Sequence, residues 1–269
     1  MNIKYNLRKI NFLLCQFGID LIKLINSLRG LSNFFYDWFK FKKNYKGLLK
    51  FSPCLHDRYE EAGIAKSEYF WQDLLVARWI HNAAPSKHVD IGSRIDGFVA
   101  HIASFREIEV FDIRPITTNI PGIKFTKMNL MDFNSLTEFD KEEGYCDSLS
   151  CLHAIEHFGL GCYGDPINPN GYQIGLENMA KLLRSGGLFY LSTPIGKQRV
   201  EFNANWVFDP RTILSIAKEN RLELKKLTIF SHTDGVYELD VNDKNLSKLL
   251  QQDYNLGIFT FIKSISKEK

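Results

Sequence analysis

The run Cys151-Leu-His-Ala-Ile-Glu-His-Phe-Gly159 brings together side chains that can move protons. His153 and His157 are four residues apart, so on a short helix they would share one face. A neutral imidazole near an acceptor hydroxyl can take up its proton, and a carboxylate such as Glu156 can orient the imidazole. The run predicts a catalytic site at His153, Glu156 and His157, with His153 as the base nearest the end of the preceding strand.

Two other interpretations of the same run stay open. The histidines can be satisfied by hydrogen bonds within the loop and take no part in chemistry. They could also form a zinc site with Cys151 and Cys162, but the sequence has no paired Cys-x-x-Cys spacing to support it. We therefore predict no metal.

A strand, a glycine turn and a helix are predicted upstream, in Lys87-His-Val-Asp-Ile-Gly-Ser-Arg-Ile-Asp-Gly97. His88–Ile91 has the character of a short buried strand, and Gly92 and Gly97 bracket a tight turn. From about Asp96 the apolar residues follow helical spacing as far as Phe105. The start of such a helix leaves N–H donors free for a ligand.

The next predicted strand, Glu109–Ile113, carries Asp112 about twenty residues beyond Gly92, the spacing at which a carboxylate binds ribose hydroxyls. The loop lacks the middle glycine of Gly-x-Gly-x-x-Gly, which counts against a nicotinamide or flavin dinucleotide. S-adenosylmethionine also bears a ribose but has no phosphate, and Asp90 beside the turn suits its cationic groups. The alternative is an ordinary turn between a strand and a helix.

Composition sets the broad class. The chain has 269 residues, with 45% hydrophobic and 24% charged residues, as expected for one large globular domain with an extension. A formal net charge of +3 gives no argument for nucleic acid binding. The five cysteines and the lack of a recognisable signal peptide predict a cytoplasmic protein.

Residues 1–50 differ from the remainder, so we predict a helical arm there and a second domain at residues 51–269. Ile10–Leu28 and Leu31–Phe41 have helical apolar spacing, and Gly30 is predicted to separate them. Lysines cluster at the end of the arm. The arm could lie peripherally on an anionic membrane, or it could be a cap or a self-association surface.

Strands alternate with helices along the rest of the chain. The predicted strands are His88–Ile91, Glu109–Ile113, Ile123–Met128, Tyr145–Leu152, Leu188–Pro194, Leu222–Phe230 and Leu256–Ile265. This order predicts an α/β, Rossmann-like fold: a seven-stranded, mostly parallel sheet with helices on both faces. A loop and a short helix join the last two strands, which favours an antiparallel strand at the edge.

The order of elements resembles class I S-adenosylmethionine-dependent methyltransferases. More closely, it resembles a family of uncharacterised bacterial methyltransferase-like proteins, the domain of unknown function numbered 268. The runs that carry this resemblance are Leu55-His-Asp-Arg-Tyr-Glu-Glu-Ala-Gly63, Val89-Asp-Ile-Gly-Ser-Arg-Ile-Asp-Gly-Phe98, Ile108-Glu-Val-Phe-Asp-Ile-Arg-Pro115, Leu152-His-Ala-Ile-Glu-His-Phe-Gly-Leu-Gly161 and Tyr163-Gly-Asp-Pro166.

The resemblance implies a set of residues that bind the cofactor. Its methionine part would lie against the loop after the first strand, its ribose against an acid, and its adenine against a later acid-bearing loop. The end of the fourth strand would bring cofactor and acceptor together. In that order the matching positions are Asp90, Gly92 and Ser93; Asp112; Leu130, Met131 and Asp132; and Ser150.

The resemblance and the residues together predict an S-adenosylmethionine-dependent methyltransferase. Its acceptor would be a small molecule or saccharide, with a role in surface polysaccharide biosynthesis. The unusual run Ser93–Gly97, where the family is richer in glycine, keeps a second hypothesis open: a non-catalytic nucleoside-binding or scaffold protein. A nicotinamide-dependent oxidoreductase is the third, and the missing glycine disfavours it.

Overall fold

The computed structural model describes residues 10–63, 65–132, 136–139 and 143–265. The chain divides into two compact units, with the division between Ile64 and Ala65. Within the described ranges, no helix is both long enough and apolar enough to cross a membrane.

The first unit is built on one long helix, α1 (Leu21–Asn44), preceded by a helical turn at residues 10–15. The predicted break at Gly30 is wrong, because α1 runs through that residue without interruption. The break falls earlier, where Gly18 has a φ of +77° and the Asp20 side chain accepts hydrogen bonds from the first backbone N–H groups of α1.

Residues 51–63 pack along one side of α1. The ring of Phe51 lies 5.1 Å from that of Phe34 and 5.4 Å from that of Trp38, between centroids. Arg58 lies 2.6 Å from a carboxylate oxygen of Asp37. The first unit thus includes the segment that follows the predicted arm.

The second unit contains an eight-stranded sheet and a small β-hairpin. The sheet order is β3-β2-β1-β4-β5-β10-β8-β9, and β6 pairs with β7 in the hairpin. Neighbouring strands from β3 to β5 are parallel, while β10 is antiparallel to both neighbours and β9 is antiparallel to β8. The strands are β1 (His88–Ile91), β2 (Ile108–Asp112), β3 (Ile123–Lys127), β4 (Cys146–Leu152), β5 (Leu183–Ile195), β6 (Arg199–Glu201), β7 (Asn205–Val207), β8 (Leu222–Ser231), β9 (Gly235–Glu238) and β10 (Asn255–Lys263).

This sheet confirms the predicted mostly parallel α/β fold and differs in detail. The sheet has one strand more than predicted: β9, which forms a hairpin with β8 and lies at the edge. The last predicted strand, β10, lies inside the sheet and not at its edge. The helix predicted over Gly171–Arg184 ends at Leu182, and the predicted stop Ser185–Gly187 is part of β5.

Helices cover both faces of the sheet. They are α2 (Glu68–Ala83), α3 (Ala100–Ala103), α4 (Gly171–Leu182), α5 (Pro210–Glu219) and α6 (Asp243–Leu249). Val76 of α2 and Ile102 of α3 belong to the core on one face, while Met179 of α4 and Ile213 of α5 belong to the core on the other. The helix predicted from Asp96 begins instead as a π-type turn, Ile95–Val99, because Gly97 is not helical.

Gly30 gives a direct test of the first unit. A Cβ atom at this position would lie 2.1 Å from the backbone oxygen of Leu55, so one of the two segments would have to move. We expect Gly30→Ala to destabilise this unit by about 1–3 kcal/mol, the usual cost of overpacking, and to speed amide hydrogen exchange in α1. The control is Gly63→Ala, where a Cβ meets nothing within 4 Å. Equal exchange in both variants would contradict the close packing.

Candidate functional site

A cavity of about 310 Å³ opens at the carboxyl ends of β1, β2, β3 and β4. This is the edge at which open α/β sheets bind ligands. The predicted site residues that line it are Gly92, Asp112, Leu130, Met131, His153 and His157. The other lining residues are Tyr69, Ile91, Arg94, Phe111, Ile113, Arg114, Met128, Asn129, Ala154, Phe158, Tyr163 and Asp165.

Five predicted residues lie outside this lining: Asp90, Ser93, Ser150, Glu156 and Asp132. Asp90, Ser93 and Ser150 are buried behind the Gly92 turn, and Glu156 is buried beneath the two histidines. The carboxylate of Asp90 accepts hydrogen bonds from the Ser93 N–H at 3.0 Å, the Ser93 hydroxyl at 2.6 Å and the Ser150 hydroxyl at 2.5 Å. Asp90 therefore fixes the shape of the turn, and the contact of these residues with a cofactor stays a prediction.

Burial changes the ionisation of this network. It raises the pKa of Asp90 to about 7, even though the hydrogen bonds from Ser150 and Ser93 favour the charged form. It also lowers the pKa of His88 to about 3, so that this imidazole is neutral. His88 bridges Ser148 and Ser150, at 2.8 Å and 3.1 Å, and extends the network across β1 and β4.

Gly92 has no side chain, so it leaves space in the cavity that the side chain of another residue would fill. Its backbone φ is +70°, a value that residues other than glycine rarely adopt. A Cβ atom here would lie 3.0 Å from the Cβ of Ala154, on the opposite wall. The turn therefore presents bare backbone to a ligand.

Asp112 lies at the end of β2, where the ribose acid was predicted, and it is already paired. Arg114 donates to its two carboxylate oxygens, from Nε at 3.1 Å and from Nη2 at 2.6 Å, and its backbone N–H donates at 2.8 Å. The guanidinium also lies 4.4 Å from the centre of the Tyr163 ring. A ribose would meet the same carboxylate oxygens that Arg114 occupies.

The segment after β3 supplies an apolar wall. Met128 and Leu130 are buried and Met131 is half-buried, and all three line the cavity together with Asn129. The Asn129 side chain accepts a hydrogen bond from the Met131 N–H at 3.0 Å. Asp132 is exposed and lies outside the lining, so its predicted role at the adenine stays a prediction.

His153 is held between two carboxylates. Its Nδ1 donates to Glu156 at 2.7 Å, and its Nε2 lies 3.4 Å from an oxygen of Glu68. Tyr69 stacks on the imidazole, with 4.5 Å between ring centres. Burial would lower the pKa of His153, but Glu156 and, more weakly, Glu68 and Asp73 raise it above its usual value of 6.5. This environment favours the imidazolium, which has no lone pair for a proton.

His157 has the arrangement that a base requires. Its Nδ1 donates to the Ala204 carbonyl at 2.6 Å, since a carbonyl can only accept. In the neutral ring, Nε2 then carries the lone pair, and it lies 4.0 Å from Glu156. The side chain is 21% exposed, against 4% for His153, and it lines the cavity.

The structure does not bring Cys151 and Cys162 together with the two histidines as a zinc site would require. Cys151 is buried in the core, and the thiol of Cys162 contacts the Asn203 carbonyl. Within the described ranges, the one group of metal-ligating side chains close enough to share an ion is His56, Asp57 and Glu60, none of which is buried.

The sequence did not predict Tyr69 as a site residue, because it is one of the apolar residues at helical spacing in α2 and nothing else sets it apart. Arg94 and Arg114 were visible only as charged residues after strand ends. Asp165 lies in a Gly- and Pro-rich loop, and its carboxylate accepts from the Gly159 and Gly161 N–H groups, at 2.9 Å and 3.2 Å.

Comparison with known proteins supports the fold. A family model described as "Caenorhabditis protein of unknown function, DUF268" matches residues 109–232, just under half of the chain. That description names Caenorhabditis, so the bacterial origin predicted for the family is not supported. No curated protein matches the sequence.

Several solved structures with similar folds are methyltransferases. One is 1,6-didemethyltoxoflavin-N1-methyltransferase from Burkholderia thailandensis, solved with its substrate and S-adenosylhomocysteine. The identity is 12%, the TM-score 0.50, and the match covers 81% of this chain and 94% of that one. Another is the N-methyltransferase NodS from Bradyrhizobium japonicum WM9, at 12% identity and TM-score 0.48, covering 75% and 99%. At 12% identity, the similarity to the Burkholderia thailandensis enzyme shows the fold alone.

The charge state of His153 can be measured. We expect nuclear magnetic resonance titration to give a His153 pKa above 6.5, and the Glu156→Gln variant to give a lower value, because the strongest contribution raising it is lost. A raised folded-state pKa stabilises the protein below pH 6.5, and this stabilisation is lost as pH rises through the folded-state value. His88 is the control, since its pKa should not respond to Glu156. An unchanged His153 pKa would disprove the pairing.

Proposed function

We propose that this protein is an S-adenosylmethionine-dependent methyltransferase that acts on a small-molecule or sugar-type acceptor. The observation that carries the proposal is one cavity lined by the Gly92 turn, Asp112, the segment Met128–Met131 and His157. It lies at the ligand-binding edge of a sheet whose fold is that of methyltransferases.

The residues present fit the cofactor. Asp112 would receive the ribose hydroxyls, Met128 and Leu130 would contact the adenine, and the bare backbone at Gly92 would leave space for the methionine part. When bound, S-adenosylmethionine supplies an electrophilic methyl group on a sulfonium. The protein's contribution is to orient the acceptor and to remove its proton when the acceptor is a hydroxyl.

His157 is the residue we propose for that proton. When the acceptor is a hydroxyl, its proton would pass to Nε2 of His157, the nitrogen left free by the hydrogen bond of Nδ1 to the Ala204 carbonyl. Glu156, 4.0 Å away, stabilises the resulting imidazolium. His153, predicted as the base from the sequence, takes a different role here. Its charge and its stacking on Tyr69 position the wall of the acceptor site.

The cavity also supports the acceptor class. Its mouth carries the rings of Tyr69 and Tyr163 beside Arg94 and Arg114, so flat or cyclic polar molecules can contact both apolar and charged groups. The second candidate is a non-catalytic scaffold protein with the same fold. The pairing of Arg114 with Asp112 favours it, since the guanidinium occupies the proposed ribose site.

Calorimetric titration with S-adenosylmethionine, S-adenosylhomocysteine and NAD tests the proposal. We expect binding of the first two and not of NAD, and at least tenfold weaker binding in Asp112→Asn, since charged hydrogen bonds contribute about 1.5–3 kcal/mol. The control is Asp96→Asn, because Asp96 holds Arg94 as Asp112 holds Arg114 but does not line the cavity. His157→Ala should retain cofactor binding and lose turnover with any acceptor found by screening. Absence of binding would favour the non-catalytic candidate.

Replacing Arg114 should strengthen cofactor binding, the opposite of the effect expected for Asp112→Asn. If a ribose must displace its guanidinium from Asp112, then Arg114→Ala removes a competitor and should strengthen S-adenosylhomocysteine binding several-fold. Arg106→Ala is the control, because this arginine lies outside the cavity. Weaker binding in Arg114→Ala would show that the guanidinium contacts the ligand itself.

A further inference from the structure

We propose that helix α1 docks on the surface of an anionic lipid bilayer, through one apolar face and the lysines that follow it. The inference does not depend on the methyltransferase proposal. It starts from an imbalance within the first unit: one face of α1 is covered by residues of the same unit, and the opposite face is bare.

The bare face is continuous and apolar. Its residues repeat every three or four positions, so they lie in one row along the helix. All of them are exposed, by between 37% and 65%: Leu24, Leu28, Leu31, Phe35 and Phe39. Single exposed apolar residues are ordinary on a protein surface, whereas a row of five along one helix marks an interaction surface.

The covered face shows why this row is not simply an incompletely packed core. Gly30 lies against Leu55, and Asn33 donates to the Tyr59 hydroxyl at 3.3 Å. Asp37 pairs with Arg58. The segment that returns along α1 therefore lies mainly on the opposite side of the helix. It reaches the row at Phe35, whose ring lies 6.2 Å from that of Phe51, and Phe35 is still 44% exposed.

Charge identifies the occupant as anionic. Residues 40–50 include five lysines and no acidic residue: Lys40, Lys42, Lys43, Lys46 and Lys50, all of them exposed. Lys42 and Lys43 follow Phe39 by three and four residues, so they continue the apolar row into the last turn of α1. Exposed Leu48 and Phe51 lie among and just beyond these lysines. An apolar row that ends in a lysine cluster suits a helix lying in the plane of an anionic bilayer.

A second copy of the same face is a poorer occupant. In antiparallel pairing, the lysines of one copy would meet residues 10–36 of the other. Asp20 is the one acid there, and its carboxylate already accepts from the Ile22 and Lys23 N–H groups. In parallel pairing, lysine would face lysine. Lipid phosphates and carboxylates supply the countercharge that a second copy lacks.

Vesicle co-sedimentation of the full chain tests the proposal, using phosphatidylcholine with and without phosphatidylserine. We expect binding only to the anionic vesicles and release by salt, because exposed charges are screened. Each lysine near the surface contributes about fivefold to partitioning. The triple variant Lys42→Gln, Lys43→Gln, Lys46→Gln should therefore bind on the order of one hundredfold more weakly. The matched control replaces Lys218, Lys244 and Lys248, which are exposed on helices of the second unit.

A second variant tests the apolar row. Leu24→Gln with Leu28→Gln and Phe39→Gln should abolish vesicle binding and leave α1 folded, since at least half of each side chain is exposed. The proposal is overturned if the wild-type chain ignores anionic vesicles, or if the two lysine triples weaken binding equally. It is also overturned if sedimentation velocity shows concentration-dependent dimers that the apolar variant abolishes while vesicle binding persists.

Discussion

A single buried carboxyl group determines how the first strand of the sheet meets its loop. Removing Asp90 from water is costly unless hydrogen bonds compensate, and those bonds must come from groups in fixed places. Ser93 provides two and Ser150 on β4 provides the third, so the end of β1, the turn and the neighbouring strand are held together. The left-handed backbone at Gly92 follows from this arrangement. The floor of the cavity is therefore set by a polar network that is buried behind its lining.

In the histidine loop, too, a buried acid supports residues that line the cavity. His153 has a φ of 51°, a conformation that costs residues with side chains roughly 1–3 kcal/mol. Its ion pair with buried Glu156 holds the ring in that position, and Tyr69 closes over it. Glu156 also lies near His157, whose tautomer is fixed by the Ala204 carbonyl. One buried acid thus supports both rings, while only the outer one keeps an accessible nitrogen.

The elements that a sequence can reveal are those whose pattern is local. Short buried runs alternating with helices located the strands from β1 to β5, and the acid at Asp112 followed from its distance to Gly92. The position of β10 inside the sheet depends on pairing between segments distant in sequence, and no local pattern encodes it. Arg114 is a different case: its contact with Asp112 is local, two residues away, but the sequence does not show that the side chain folds back onto that carboxylate. The prediction at Gly30 was wrong because glycine has two common uses. It can end a helix, or it can allow close packing against a neighbouring segment, and the sequence does not distinguish the two.

The place of β10 has a consequence for the order in which the sheet can form. This strand bridges β5 and β8, although it is the last in sequence of the ten strands within the described ranges. Until it is synthesised, the parallel half of the sheet and the β8–β9 hairpin have no shared hydrogen bonds, and each presents an open edge. Open edges attract other chains. A ribosome-bound chain must therefore wait for its final strand before the two halves join, so slow elongation or early termination in this region would expose the nascent protein to edge-to-edge aggregation.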